Sequence, residues 1–230
     1  MTKMRTQLVE TATAILLSPI DLATFEAAGF GQLLTPESQG GFGGDWGDAE
    51  AVLRQVGYHQ PGLDGAALIV GGAELDRALA TVALIGGALQ RAMEMAIDHA
   101  NTRVQFGKPL GKQQAVQQSL ALLAEDVAAV AVAAQAAARA RDKGDAVFEI
   151  ACAKLRANRA AGAGAAIAHQ VHGAIGFTAE YPLHLYTRKL TEWRSAFGND
   201  AVWAERVGTF VAAQGGAGLW TEITRRGERA

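Results

Sequence analysis

The chain has 230 residues, half of them apolar, with that share carried by Ala far more than by aromatics; this is enough for one sizeable core and favours closely packed helices. Lys plus Arg number 21 against 23 Asp plus Glu, a formal net charge of −2, so no broad basic field is offered to nucleic acid. A single Cys, Cys152, excludes an internal disulfide, and its place in an apolar helical stripe points to packing rather than to nucleophilic chemistry.

The N-terminal segment mixes Lys3, Arg5 and Glu10 with short apolar runs and lacks the pattern of a signal peptide. The Ala-rich tracts are cut by Glu125-Asp126, Arg139 and Arg141, which predicts no membrane span and a cytoplasmic protein. Residues 2–17 read as an amphipathic helix closed by Ser18-Pro19, and a second short helix runs from Pro19-Ile20-Asp21 through Ala28 to Gly29. A glycine-rich turn over Gly40, Gly41, Gly43 and Gly44 precedes a helix at 47–59, for which Asp45 is the expected cap. Residues 61–72 read as a short linker with a strand-like apolar run, dividing an N-terminal segment, 1–60, from a bundle domain, 73–214.

Three long apolar stripes follow at helical spacing: Leu75 to Ala100, Val116 to Ala137, and Ile150 to Val171. The Lys143-Gly144-Asp145 connection is too short for anything but antiparallel neighbours, with Asp145 as a cap. Pro182 opens a fourth helix carrying Leu190 and Trp193, Gly198-Asn199-Asp200 breaks it, and Asp200 is expected to cap a last helix with Trp203 and Phe210. Trp193 and Trp203 fall on apolar faces, as core or interface anchors. Gln214 to Gly218 reads as a joint before a tail, 215–230. The prediction is an all-α fold, an antiparallel four-helix bundle with short N-terminal helices.

Two segments at the ends of long helices carry chemistry. In Arg103-Val104-Gln105-Phe106-Gly107-Lys108-Pro109 a cation and an aromatic ring stand ahead of residues that force the backbone out of helix. In Gln170-Val171-His172-Gly173-Ala174-Ile175-Gly176-Phe177 two glycines three apart let a flat or charged ligand approach the backbone. His169 and His172 share a helical face, but Glu180 is the nearest carboxylate and lies beyond a glycine turn, so packing is favoured over a metal site.

Together these segments resemble the C-terminal helical domain of acyl-CoA dehydrogenases: Arg103 to Gly107 matches R-x-x-F-G, Gln114 the following Gln, and Gln170 to Phe177 matches Q-x-x-G-x-x-G-F, with Tyr181-Pro182 continuing the pattern. Pro36 to Gly43 echoes the family's P-E-x-x-G-G-x-G turn. The resemblance implies FAD held across a subunit interface by Arg103, Phe106, Gln114, Gln170, Gly173 and Gly176, with Arg103 on the phosphates. It further implies an acyl-CoA substrate, α,β-dehydrogenation, and electrons passed to an electron-transferring flavoprotein. The chain departs from the family in two ways. The stretch between the N-terminal turn and the bundle is too short for the family's β-domain, and the two family positions for the catalytic Glu hold Phe197 and Arg77. Glu74, Asp76, Glu192 and Asp200 lie near those positions but on shifted faces. Two functions therefore stand: an FAD-dependent oxidoreductase chain working in a homo-oligomer or beside a full-length acyl-CoA dehydrogenase subunit, or a non-catalytic helical scaffold.

Overall fold

Three helices of 26 to 29 residues take up the three apolar stripes: α5 (Glu74–Thr102), α6 (Gln114–Asp142) and α7 (Val147–His172). The computed structural model describes residues 3–229; Thr2 of the predicted first helix and Ala230 of the expected tail lie outside the described residues. Ahead of the three come α1 (Lys3–Leu16), α2 (Leu22–Ala27), α3 (Trp46–His59) and α4 (Gly65–Val70), and behind them α8 (Leu183–Ser195) and α9 (Asp200–Arg229). The fold is all-α, with one two-stranded hairpin, β1 (Val104–Gln105) and β2 (Lys108–Pro109), among the described residues.

Helix α5 is the axis, packed against α3, α6, α7 and α8, and α7 packs in turn on α6, α8 and α9. Its predicted stripe is buried at Leu79, Val82, Leu89, Ala96 and Ala100. Helices α3 and α5 meet backbone to backbone: a Cβ on Gly57 would fall 2.1 Å from the Leu84 carbonyl oxygen, and one on Gly87 2.0 Å from that of Arg54. Asp45 caps α3 in a reciprocal box with Asp48, each accepting from the other's backbone N–H at 2.8 and 3.2 Å. Arg5 donates to both carboxylates, at 2.6 and 2.7 Å, and so fastens α1 to α3.

Four expectations need correction. The strand-like run at 66–70 is helix α4, because a lone strand would leave its backbone groups without partners, whereas a helix satisfies them and turns Ala66 and Ile69 together into the core. Asp145 does not cap α7, whose N-cap is Ala146; Asp145 instead lies 3.7 Å from Arg226. Asn199, not Asp200, caps α9, its Oδ1 accepting from the N–H groups of Ala201 and Val202 at 3.1 and 3.2 Å, while Asp200 pairs with Arg194. Helix α6, despite its charges, is long and apolar enough by length and composition to cross a membrane. Its most apolar stretch is 22% buried within the chain: Leu123, Val130, Ala134 and Ala137 face the bundle, and Leu122 and Val132 stand open.

The expected joint is a sharp reversal at Gly215 (φ 66, ψ 158), after which the chain is again helical. Arg226 lies over the ring of Phe210 at 4.8 Å, a contact that a straight helix sixteen residues long would hold apart by about 24 Å, and it pairs with Glu149 of α7 at 3.0 Å. The segment after Gly215 therefore folds back onto the start of α7.

Candidate functional site

Because α5 and α7 run in the same direction, their C-termini stand side by side, and the start of α6 closes the third side. Between them opens a cavity of about 820 Å³, lined by His99, Arg103, Gln105, Gln113, Ser119, Gln170 and His172 among its polar groups. Leu110, Val116, Val171 and Ile175 supply apolar wall. Arg103 is the C-cap of α5, where the helix dipole favours a cation, and its extended backbone turns the chain outward. Gly173 ends α7 at φ 63, and a Cβ there would meet nothing within 4 Å, so the backbone itself is bare to the cavity.

Three of the six expected binding residues are brought together here: Arg103, Gln170 and Gly173. Gln113 lines the cavity where Gln114 was expected, since Gln113 is the extended N-cap and Gln114 has already turned into the helix. Phe106 stands away from the cavity at the tip of the β1–β2 hairpin, 93% exposed. It and Gly107 both have positive φ, 52 and 76, as a two-residue hairpin turn demands. Gly176 is buried beneath the cavity, where a Cβ would fall 2.9 Å from the Cβ of His172. A guanidinium, several carboxamides, an uncovered backbone and an apolar wall are the donor set for a phosphate-bearing ligand with a flat ring, so these residues fit the adenylate half of a dinucleotide.

The histidines were missed as a group by the sequence reading, although His99 lies four residues before Arg103 on the same helical face. The rings of His99 and His172 stack at 4.7 Å, and His169 stacks on Phe177 at 4.4 Å. Burial, the His172 ring and the Arg103 charge push the His99 pKa down; burial alone dominates at His169 and His172, which are also lowered.

The opposite end of α5 holds the two positions where the family resemblance seeks a catalytic base. Arg77 and Phe197 occupy each other: the guanidinium lies over the ring at 5.1 Å and is 3.7 Å from Asp64. Phe197 has φ 55, a strained conformation for a non-glycine residue, and its turn is heavily tied down. Trp203 Nε1 donates to the carbonyls of Phe197 and Gly198, both at 3.1 Å, and Asn158 donates to Gly198 at 3.2 Å. Fully buried Lys154 donates to Asn158 and to the Trp193 carbonyl, and burial pushes its pKa down to about 8. The neighbouring carboxylates are all engaged: Glu74 with Arg206, Asp76 with Arg141, Glu192 with Lys189 and Asp200 with Arg194.

Residues 64–212 match the family model of the acyl-CoA dehydrogenase C-terminal domain. The chain belongs to this family. It is 31% identical over 194 residues to acyl-CoA dehydrogenase FadE27 of Mycobacterium tuberculosis, covering 74% of this chain and 51% of the relative. It is 36% identical over 131 residues to glutaryl-CoA dehydrogenase of Desulfococcus multivorans, covering 56% of this chain and 33% of that protein. The matched regions thus span a third to a half of these relatives. The fold is that of a chain in the ChsE4-ChsE5 complex from Mycobacterium tuberculosis, with a TM-score of 0.79 over 92% of this chain and 98% of that one, at 17% identity.

Proposed function

We propose that this chain is a subunit of an acyl-CoA dehydrogenase-like flavoprotein assembly, in which Arg103, Gln170 and Gly173 clasp the adenylate half of FAD while a neighbouring chain holds the flavin and supplies the base. The observation that carries this is the separation of the two ends of α5. Arg77 and Arg103 are 26 residues apart on one helix, about 39 Å, farther than an extended dinucleotide reaches. One cofactor cannot lie in the Arg103 cavity and at the Arg77–Phe197 end of the same chain. A second chain must complete the site.

Bound FAD would supply the hydride acceptor for α,β-dehydrogenation of an acyl-CoA thioester, with an electron-transferring flavoprotein as the onward acceptor. The residues of this chain bind and orient: Arg103 offers a planar fork to the phosphates, Gln170 a carboxamide to the adenosine, and Gly173 a backbone surface free of Cβ. With Phe197 and Arg77 at the two family positions and Arg77 lying over the Phe197 ring, neither position offers a carboxylate, and in this reading the base comes from the neighbouring chain. The open apolar face of α6, with Leu122 and Val132, supports pairing with a second chain of this type or with a full-length relative. The same closed end supports a second reading, a scaffold that binds a partner and no flavin.

The visible spectrum of the assembly purified from its native host separates the two: flavin bands are expected for the first and their absence after incubation with FAD for the second. Arg103→Ala should lower FAD retention at least tenfold with no loss of folded protein, because the side chain is exposed and binds a charged group. Unchanged flavin content in that variant overturns the phosphate role.

A further inference from the structure

We propose that binding of a nucleoside diphosphate in the Arg103 cavity is coupled to protonation of His99, the imidazole that lies face to face on His172 in the cavity wall. The proposal rests on the nucleotide reading of that cavity.

The two stacked rings are in different situations. His172 Nδ1 is 2.7 Å from the Ala168 carbonyl, which can only accept, so this nitrogen carries the hydrogen. Its Nε2 is 3.0 Å from the Tyr181 hydroxyl, which then donates to it. Both nitrogens of His172 are spent in a neutral tautomer. The ring nitrogens of His99 have no hydrogen-bond partner among the described residues, and His99 lines the cavity. It is the imidazole left open to respond to a ligand.

The charged and titratable groups around His99 come from three elements. Helix α5 contributes Arg103, whose charge opposes a proton on His99, and Asp98, which bears on Tyr181. Helix α7 contributes His172 in contact and His169 beyond it. Tyr181 comes from the loop before α8, with its ring 6.5 Å from that of His99. From 104–119 the cavity receives only neutral groups, Gln105, Gln113 and Ser119 among them. In the free chain, then, the carboxylate among these groups is the exposed Asp98, one residue back on α5, while the Arg103 cation and the packed His172 ring disfavour the charged form of His99. A diphosphate held by Arg103 reverses that balance. It places at least two negative charges beside a group with an unused nitrogen, and an opposite charge at such range favours the protonated form by tenfold or more. His99 becomes a second cationic donor beside Arg103 only when the ligand is present.

The test is calorimetric titration of the purified full chain, in whatever assembly it forms, with ADP between pH 6 and pH 8 in buffers of differing ionisation enthalpy. Wild type should take up a proton on binding, and its affinity should rise by about tenfold from pH 8 to pH 6. His99→Asn should lose both effects beyond the titration of ADP itself. Independently of any variant, the imidazole resonances of His99 in wild type should move to protonated positions on addition of ADP near pH 7. ADP binding without net proton uptake, or with uptake equal in His99→Asn, overturns the coupling and leaves the nucleotide reading standing. Failure of ADP to bind at any pH up to millimolar concentration overturns both.

Discussion

The two ends of α5 were built on opposite principles. At the C-terminal end Arg103 is exposed, Gln170 is exposed, Gly173 leaves its backbone bare, and the groups around them face an open cavity. At the N-terminal end most of the polar groups are taken up by protein partners: Arg77 by Phe197 and Asp64, Asp76 by Arg141, and the 196–199 turn by Trp203, Asn158 and, through Trp193, Lys154, while Oδ1 of Asp200 is left buried without a partner among the described residues. Donors left unpaired at a helix end are available for a ligand, whereas donors consumed internally stabilise the fold. The difference leaves one end open and closes the other.

The sharpest way to break the comparison is at the closed end. Trp203 is fully buried and makes two of the hydrogen bonds to the strained turn, so Trp203→Ala should cost about 3–5 kcal/mol, read by urea denaturation. A loss under about 1 kcal/mol would mean that the turn is held by something else.

A smaller effect is expected from Lys154. Its folded pKa, about 8, lies below the ordinary 10.5, so between those values the unfolded chain binds more protons than the folded one and stability rises with pH. Raising pH from 8 toward 10 should add about 2 kcal/mol, and Lys154→Met should flatten that slope. Cys152 from about pH 9, and Tyr58 and Tyr181 above about pH 10, all raised by burial, work in the reverse direction, so the Lys154 contribution is the difference between the wild-type and Lys154→Met profiles below about pH 10. A wild-type profile as flat as the variant's would show that the ammonium is not desolvated.

The smallest change is at the open end. Phe106 pays for a positive φ with no packing in return, so Phe106→Gly should raise stability by about 0.5–1 kcal/mol while weakening flavin retention by the assembly. If flavin retention is untouched, the exposed ring has no partner to meet.

Much of this was legible in the residues. The 3.6 period of Leu75 to Ala100 and Ile150 to Val171 located the long helices, because burial repeats with the helical turn. Arg103, Gln170 and Gly173, which line one cavity, stood out because they sit where apolar periodicity stops. What failed were features decided across the fold. Whether 65–70 is strand or helix depends on α5 beneath it, and the choice between Asn199 and Asp200 as cap depends on Arg194, which claims Asp200. The His99–His172 stack joins residues 73 apart on parallel helices, a register that no local spacing encodes. Likewise the contact between Arg77 and Phe197, each conspicuous alone, appears only when α8 returns to the start of α5.

Where α3 crosses α5, the chain has no side chain between two backbones, and Gly57 and Gly87 press directly on carbonyls of the facing helix. Such a crossing cannot open by a rotamer change; it opens only if the helices part. Amides along this seam should therefore be among the last to exchange with deuterated solvent, and the N-terminal helices should melt with the bundle as one cooperative unit.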